Sequence, residues 1–370
     1  MKVLFPLPGG AIGGSHRSTI ELHKQLLASG VNSELLLHKL DTPLSSLLRH
    51  ENIPFKTMSG IKLAGESSNI INIVFRVAYN TITIRKYINK NHITIVHGND
   101  LRINLTWSLP TKFSNAYFVW HQRQLLSDSL YWKAINYLSD YFISISKYVY
   151  NTIPSNIPEN KKTYIYNPFE VNMPIISNQK IRNDKAKLGV PVDNFVIGYI
   201  GRLVERKNVD KLLKSFLSIL KLNKKITLLI VGKGDINYTR ELHTIIKSNN
   251  IEDSVCMVGF IKNIYSVYPL LDVMVAPASD EPFGRTLVES MLARVPVVAY
   301  KSGAHTEIIN HNETGVLYSD NGLLKSIDVI INNKKFRDNL INKAYYFAKE
   351  NFSSDNHRDK VLQIYRGLDR

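Results

Sequence analysis

Short apolar runs rich in β-branched residues alternate along the whole chain with longer segments of helical period. That alternation is the pattern of β-α-β units wound around parallel sheets. The first half offers strands at 3–7, 34–38, 94–97, 117–120, 141–145 and 163–166, and the second at 195–200, 227–231, 255–258, 273–276, 295–299 and 315–318. Two such sets exceed what one doubly wound sheet holds, so the spacing predicts an α/β protein with two Rossmann-like domains. With 370 residues, each domain is large enough to bury its own core. The break falls after Asn167-Pro168; the polar stretch 172–193, with Pro174 and Pro191, reads as a linker and a lead-in helix. No fixed-period repeat or low-complexity tract interrupts the pattern.

Composition narrows the class. The single cysteine, Cys256, excludes a disulfide framework and a cysteine-based zinc site. No apolar run approaches the roughly 18 residues that cross a bilayer, and the apolar start is broken by Pro6, too short for a signal peptide. A soluble, cytoplasmic location is the resulting expectation. Residues 1–170 hold 18 basic and 10 acidic side chains, and 171–370 hold 29 and 21, a net +8 in each half. Charge spread this evenly forms no basic tail. It suits a polyanion of any kind, whether nucleic acid, an anionic lipid surface or a nucleotide diphosphate, and equally a solvated lysine-rich surface.

Three segments carry chemistry. Gly9-Gly10-Ala11-Ile12-Gly13-Gly14 follows the first strand and opens a helix, a turn that can offer backbone N–H groups to an anion or simply reverse the chain. It is not G-x-G-x-x-G, and Asp41 is the only acidic residue near the end of the second strand, which disfavours a dinucleotide dehydrogenase. Next, the strand at 195–200 runs into Gly201-Arg202-Leu203-Val204-Glu205-Arg206-Lys207-Asn208. Two cations at a strand's carboxyl end, Arg202 and Lys207, suit a diphosphate: Arg forks across oxygens and Lys is a mobile point charge. Third, Glu281-Pro282-Phe283-Gly284-Arg285-Thr286 follows the strand at 273–276, with a helix predicted to start at 283–286 and Pro282 in its first turn. Its N-terminus would attract phosphate oxygens. Glu281 lies ahead of that helix and Glu289 is expected two turns inside it, where an ionised carboxylate can accept hydrogen bonds from hydroxyls.

These segments together resemble the retaining, two-domain glycosyltransferases of family four, and the pattern covers essentially the whole chain. The carriers are Gly13-Gly14, the GRLVERKN segment at 201–208, the VGKGD turn at 231–235, the VGF at 258–260, and Glu281 and Glu289 with seven residues between them. The resemblance implies a GT-B fold, two Rossmann-like domains facing across a cleft. It implies an acceptor domain over 1–170, a nucleotide-sugar donor domain over 171–352 and a final helix, 353–370, crossing back to the first. By the same resemblance Arg202 and Lys207 bind the donor diphosphate, Glu289 the ribose, and Glu281 lies by the donor sugar. Gly13, Gly14, Phe283, Gly284, Arg285 and Thr286 line the donor, and Gly259 and Phe260 lie near the base. His121, at the end of the strand at 117–120, matches the family's histidine close to the donor sugar. Two positions depart from the family. Asn208 replaces a glycine, which Asn's tolerance of left-handed geometry should accommodate, and Asn167-Pro168-Phe169-Glu170 replaces Asn-Gly-Val-Asp at the hinge.

The reaction expected is sugar transfer with retention from a nucleotide sugar, UDP favoured over GDP, to a hydroxyl of a glycan or lipid-linked glycan precursor in cell-surface polysaccharide synthesis. Retaining glycosidases use a carboxylate nucleophile, but Glu289 is committed to ribose here. A same-face displacement is simpler: the departing diphosphate oxygen takes the acceptor proton while Arg202, Lys207 and the helix N-terminus stabilise its charge. No cofactor or metal is expected, since the sequence has neither a D-x-D pair nor a histidine cluster of ligand spacing. The alternatives are a non-catalytic nucleotide- or glycan-binding module, a nucleotide-sugar epimerase, and, disfavoured for want of a motif, a nucleic-acid binder. The stretch 69–91 reads as one long helix with an apolar stripe at Ile70, Ile73, Val74, Val77 and Ala78 and a basic, aromatic remainder. Such a helix either packs on its own sheet or touches an anionic membrane, and Arg366 and Arg370 would lie near the cleft or the lipid face.

Overall fold

The computed structural model describes residues 1–10, 12–65, 70–126, 136–170, 176–221 and 225–368, with backbone alone for 70–75 and 136. The chain divides into two compact units, one built from Met1–Phe169 with Phe352–Arg370 and the other from Glu170–Asn351.

The first unit holds β1 (Lys2–Leu7), β2 (Asn32–Leu37), β3 (Phe55–Thr57), β4 (Ile95–Gly98), β5 (Tyr117–Gln122), β6 (Tyr141–Ser144) and β7 (Lys162–Tyr164) in one sheet. Their spatial order is β3-β2-β1-β4-β5-β6-β7, and every pair is parallel. Successive residues of a strand point to opposite faces, and β1 shows it. Val3, Phe5 and Leu7 pack with Ile20 and Leu26 of α1 (Gly14–Ala28) and with Val361, Leu362 and Tyr365 of the C-terminal helix Ser354–Leu368. Leu4 joins Ile84, Ile88, Trp107 and Phe118 on the other side. Pro6, which has no amide to donate, falls beyond the last β1–β4 pair, Leu4↔Val96.

The second unit repeats the topology. Its strands β8 (Phe195–Ile200), β9 (Ile226–Val231), β10 (Val255–Gly259), β11 (Val273–Ala276), β12 (Val297–Tyr300) and β13 (Val316–Tyr318) lie in the order β10-β9-β8-β11-β12-β13. Again all pairs are parallel. Ile197 and Tyr199 of β8 bury against Leu212, Leu213 and Phe216 of the helix Val209–Leu220, whose apolar stripe faces the sheet. In both units the strand order reverses beside the first strand. Ligand crevices of such sheets open at the strand carboxyl ends on either side of that reversal.

The structure corrects the sequence reading at two places. Strand β3 was not anticipated, because three residues, only Phe55 of them apolar and β-forming, give no periodicity to count. On the long helix, which runs Ile70–Lys90, Val77 is 42% exposed and Ala78 is also on the solvent side. The buried face is instead Asn80, Ile84 and Ile88, the two isoleucines packed with Leu4 and Val96 of the sheet. The side chains of Ile70, Ile73 and Val74 lie outside those described. The predicted stripe lies in the helix's first turns, whereas Asn80, Ile84 and Ile88 lie in its later ones. Among the described residues, no helix is long and apolar enough to cross a membrane.

Candidate functional site

The switch point of the second unit lies between β8 and β11, and the loops leaving those two strands carry most of the candidate residues. After β8 the chain passes Gly201 and Arg202, makes one tight turn at Glu205–Lys207, and enters the next helix through Asn208. Asn208 takes the left-handed conformation (φ 53°, ψ 37°) that the family glycine would supply. Its side chain adds something glycine cannot: Nδ2 donates to the Pro277 carbonyl at 3.1 Å and to Ser279 Oγ at 3.4 Å. The loop after β8 is thereby tied to the loop after β11. Gly201, Gly232 and Gly234 allow two backbones to touch. A Cβ on Gly232 would sit 1.8 Å from the Gly201 carbonyl oxygen, and one on Gly234 1.9 Å from that of Leu203. The Asp235 amide donates to the same Leu203 carbonyl at 2.8 Å. These contacts are why the VGKGD turn needs its glycines.

Within this frame Lys207 Nζ pairs with a Glu281 carboxylate oxygen, both side chains 16% exposed. Arg202 is exposed, with no ion-pair partner among the described residues. Glu281 is fixed at its backbone as well, its carbonyl accepting from the Ala304 amide at 3.0 Å. Phe283 is buried, and Gly284 takes φ +88° to cap the helix Arg285–Leu292. Four amides at a helix start have no intrahelical acceptor, so this end presents donors to the loop. Glu289, 6% exposed, has one partner at each oxygen and acceptor capacity to spare: Tyr268 Oη donates to one at 2.6 Å and Arg285 Nη2 lies 3.4 Å from the other. Burial, reinforced by the Glu289 carboxylate, holds the Tyr268 phenol well above its ordinary range, so it remains a donor. The arrangement can neutralise an anion at Arg202 and Lys207 and accept hydroxyl hydrogens at two carboxylates. Gly259, with φ +70°, closes β10 and accepts the Gly232 amide at 2.8 Å; Phe260 beside it is 66% exposed, an open aromatic face.

The first unit carries the remaining candidates. Gly13 is the N-cap of α1 and Gly14 its first residue, and Gly13's amide donates to His16 Nδ1 at 3.1 Å. Ala11 of this loop lies outside the described residues. His121, near the end of β5, is 1% exposed, and its Nδ1 lies 3.1 Å from Nε2 of His97 at the end of β4. His357 stacks on it at 6.1 Å between ring centres. Burial, and then the Arg123 guanidinium, push His97 and His121 well below the usual histidine range, so both rings are neutral. Arg123 itself is held by Asn99 and Asn167, at 2.6 Å to each side-chain oxygen.

Two details of the third segment change. The helix begins at Arg285, leaving Pro282 in the preceding turn, and Glu289 therefore sits one turn inside it. The left-handed cap at Gly284 costs the two residues that the sequence had assigned to the helix. Tyr268, His97 and His305 were not legible as site residues. His305 Nδ1 bonds the Tyr300 carbonyl at 2.9 Å and its ring faces Gly284. Tyr268 and His305 lie in short turns with no spacing signal, and His97 lies in a strand read only as a strand; the folded sheets bring them in. Arg366 is exposed on the last helix, and Arg370 lies outside the described residues. Among the described residues, no group of three His, Cys, Asp or Glu side chains could hold a metal ion.

Comparison with known proteins bears on these loops. Residues 180–347 match the family model for glycosyl transferases group 1. An uncharacterized glycosyltransferase of Methanocaldococcus jannaschii, MJ1607, is 30% identical over 248 residues, which span 63% of this chain and 62% of that protein. The capsular polysaccharide biosynthesis glycosyltransferase CapM of Staphylococcus aureus is 26% identical over 329 residues, 86% of this chain and 78% of its own length. Among solved structures, Anabaena Alr3699/HepE in complex with UDP and glucose superposes with a TM-score of 0.84, at 22% identity, over 99% of both chains.

Proposed function

We propose that the chain, which has the GT-B fold and matches the glycosyl transferases group 1 model over residues 180–347, is a member of that family and transfers a sugar, with retention of anomeric configuration, from a UDP-sugar to a hydroxyl of a glycan or lipid-linked glycan. The observation that carries this reading is the second unit's switch point. There the exposed Arg202, the Lys207–Glu281 pair, a helix N-terminus and the buried Glu289 converge from two loops locked together by Asn208. Arg202 and Lys207 take the diphosphate, with the amides at 284–286, and Glu289 takes the ribose hydroxyls. Gly259 and Phe260 flank the base, Glu281 and His121 meet the donor sugar, and Gly13 and Gly14 line its phosphate side. As the sugar leaves, negative charge grows on the β-phosphate, where two cations and a helix end are worth most. The leaving oxygen takes the acceptor's proton, so no protein base is required.

The UDP ligand of Alr3699/HepE and the surface-polysaccharide role in the name of CapM support the donor and acceptor classes. The first unit is then the acceptor side, working at the cytoplasmic face of a membrane. Val77, Tyr79, Ile82 and Phe113 stand exposed there, and Arg85, Lys86 and Lys90 line the groove shared by Ile82 and Phe113. Apolar side chains ringed by cations fit an anionic lipid surface. The test is a panel of nucleotide sugars with glycan and lipid-linked acceptors, in EDTA, with product configuration read by NMR. An α-linked product from an α-linked donor supports the reading. Epimerised donor without acceptor, or an inverted product, refutes it.

A further inference from the structure

In the first unit, three buried side chains from three elements form one line of hydrogen bonds. Tyr365 of the C-terminal helix bonds through its hydroxyl to His97 Nδ1, and His97 Nε2 lies 3.1 Å from His121 Nδ1. None is more than 1% exposed. The line ends at His121 Nε2, which is buried and has no hydrogen-bond partner among the described residues. We infer that Tyr365 and His97 are positioning residues that fix the tautomer of His121, so that it carries its hydrogen on Nε2 and acts as a hydrogen-bond donor.

The assignment follows from counting hydrogens. Both rings are neutral, so each carries one N–H, and two arrangements are open. In the first, the Tyr365 hydroxyl donates to His97 Nδ1, His97 Nε2–H donates to His121 Nδ1, and His121 is protonated at Nε2. Every hydrogen but that last one is used. In the second, His97 Nδ1–H donates to the tyrosine oxygen and His121 Nδ1–H donates to His97. The phenolic hydrogen is then buried without an acceptor, and His121 Nε2 is a bare lone pair. The second arrangement strands two groups and the first strands one, and a stranded buried group costs its full desolvation. Burial also keeps the Tyr365 phenol protonated far above neutral pH, so it always has a hydrogen to place. His357, stacked on His121, donates its own Nδ1–H to the Tyr166 carbonyl at 2.7 Å and stays outside the line. Arg123 is the charged group facing both rings, and it disfavours any second proton on either.

Resting on the reading that His121 meets the donor sugar, the consequence is specific. His121 offers an N–H to an oxygen of the sugar and is unavailable as a proton acceptor. The C-terminal helix thereby acts on chemistry it does not touch. The test is long-range ¹H–¹⁵N correlation on the full chain with ¹⁵N-labelled histidine, the His121 signals assigned by their loss in His121→Gln. The expected result is a protonated Nε2 and bare Nδ1 on His121, with Tyr365→Phe converting His97 and His121 to a mixture of tautomers. That variant should lower kcat about tenfold while leaving UDP affinity unchanged. A protonated Nδ1 on His121 in the parent protein overturns the inference even if Tyr365→Phe does not fold. An unchanged tautomer in a folded Tyr365→Phe overturns it equally. If the tautomers behave as stated but His121→Gln transfers sugar at the parent rate, the relay stands and the donor-sugar role of His121 falls.

Discussion

Acidification from pH 7 to pH 5 should destabilise the first unit, and the magnitude follows from two histidines. Burial, with a smaller push from Lys24, holds His23 down to about 4; burial holds His357 down to about 3, against an ordinary value of 6.5. In the unfolded chain both accept a proton near 6.5, whereas in the fold they stay neutral until the pH reaches those lower values. The stability they contribute is therefore whole above 6.5 and drains as the pH falls from 6.5 towards 4 and 3. At pH 5, about 1.5 pH units into that window, each has lost about 2 kcal/mol, or about 4 kcal/mol together. His97 and His121 titrate in the same direction and add to the loss. Set against a typical stability of about 5–15 kcal/mol, this is a large fraction. The assay is built into the sequence: all three tryptophans, at 107, 120 and 132, fall in the first half. Urea midpoints by tryptophan fluorescence should fall steadily between pH 7 and pH 5. In His23→Asn or His357→Asn, about 2 kcal/mol of that pH dependence should vanish whatever the stability at pH 7. A midpoint flat with pH, or variants with the parent's slope, would refute the reasoning.

Three further outcomes are expected. Tyr268→Phe removes a hydrogen bond to the buried Glu289 carboxylate and should cost about 1.5–3 kcal/mol, read as faster amide exchange in the helix Arg285–Leu292, with weakened UDP binding. Gly232→Ala drives a Cβ into the Gly201 carbonyl and should cost at least about 1–3 kcal/mol, while Gly13→Ala, whose Cβ meets only His16 Nδ1 at 3.8 Å, should stay within about 1 kcal/mol; equal urea midpoints for the two would discredit the backbone-contact explanation. Replacing Arg85, Lys86 and Lys90 by Ala should remove about 1 kcal/mol per cation from binding to anionic vesicles, and co-sedimentation unchanged by the triple variant would remove the lipid surface from consideration.

The elements that were legible are those whose burial is two-sided and whose glycines or cations sit at strand ends. Strands such as β1, β8 and β9 read directly, because parallel strands buried on both faces are nearly continuous apolar runs. Arg202, Lys207 and Glu281 stand out in the sequence because each lies in the loop that follows such a run, where parallel sheets open their crevice. The rest depended on folded context. Tyr268 and His305 come from turns with no period, and His97 looks like any strand-end residue until the pairing of β4 with β5 brings its ring 3.1 Å from that of His121. The long helix shows the opposite failure: its strongest apolar stripe by count includes Val77 and Ala78, which face water, because periodicity reports amphipathicity without saying what lies beneath.

The most direct measurement is isothermal calorimetry of UDP binding to the parent chain and to Lys207→Ala, Arg202→Ala and Glu289→Ala. Saturable binding to the parent is expected, weakened about tenfold or more in each variant, since a hydrogen bond to a charged group is worth about 1.5–3 kcal/mol. Parent-level UDP affinity in Lys207→Ala and Glu289→Ala together would contradict the assignment of the second unit's switch point as the donor site.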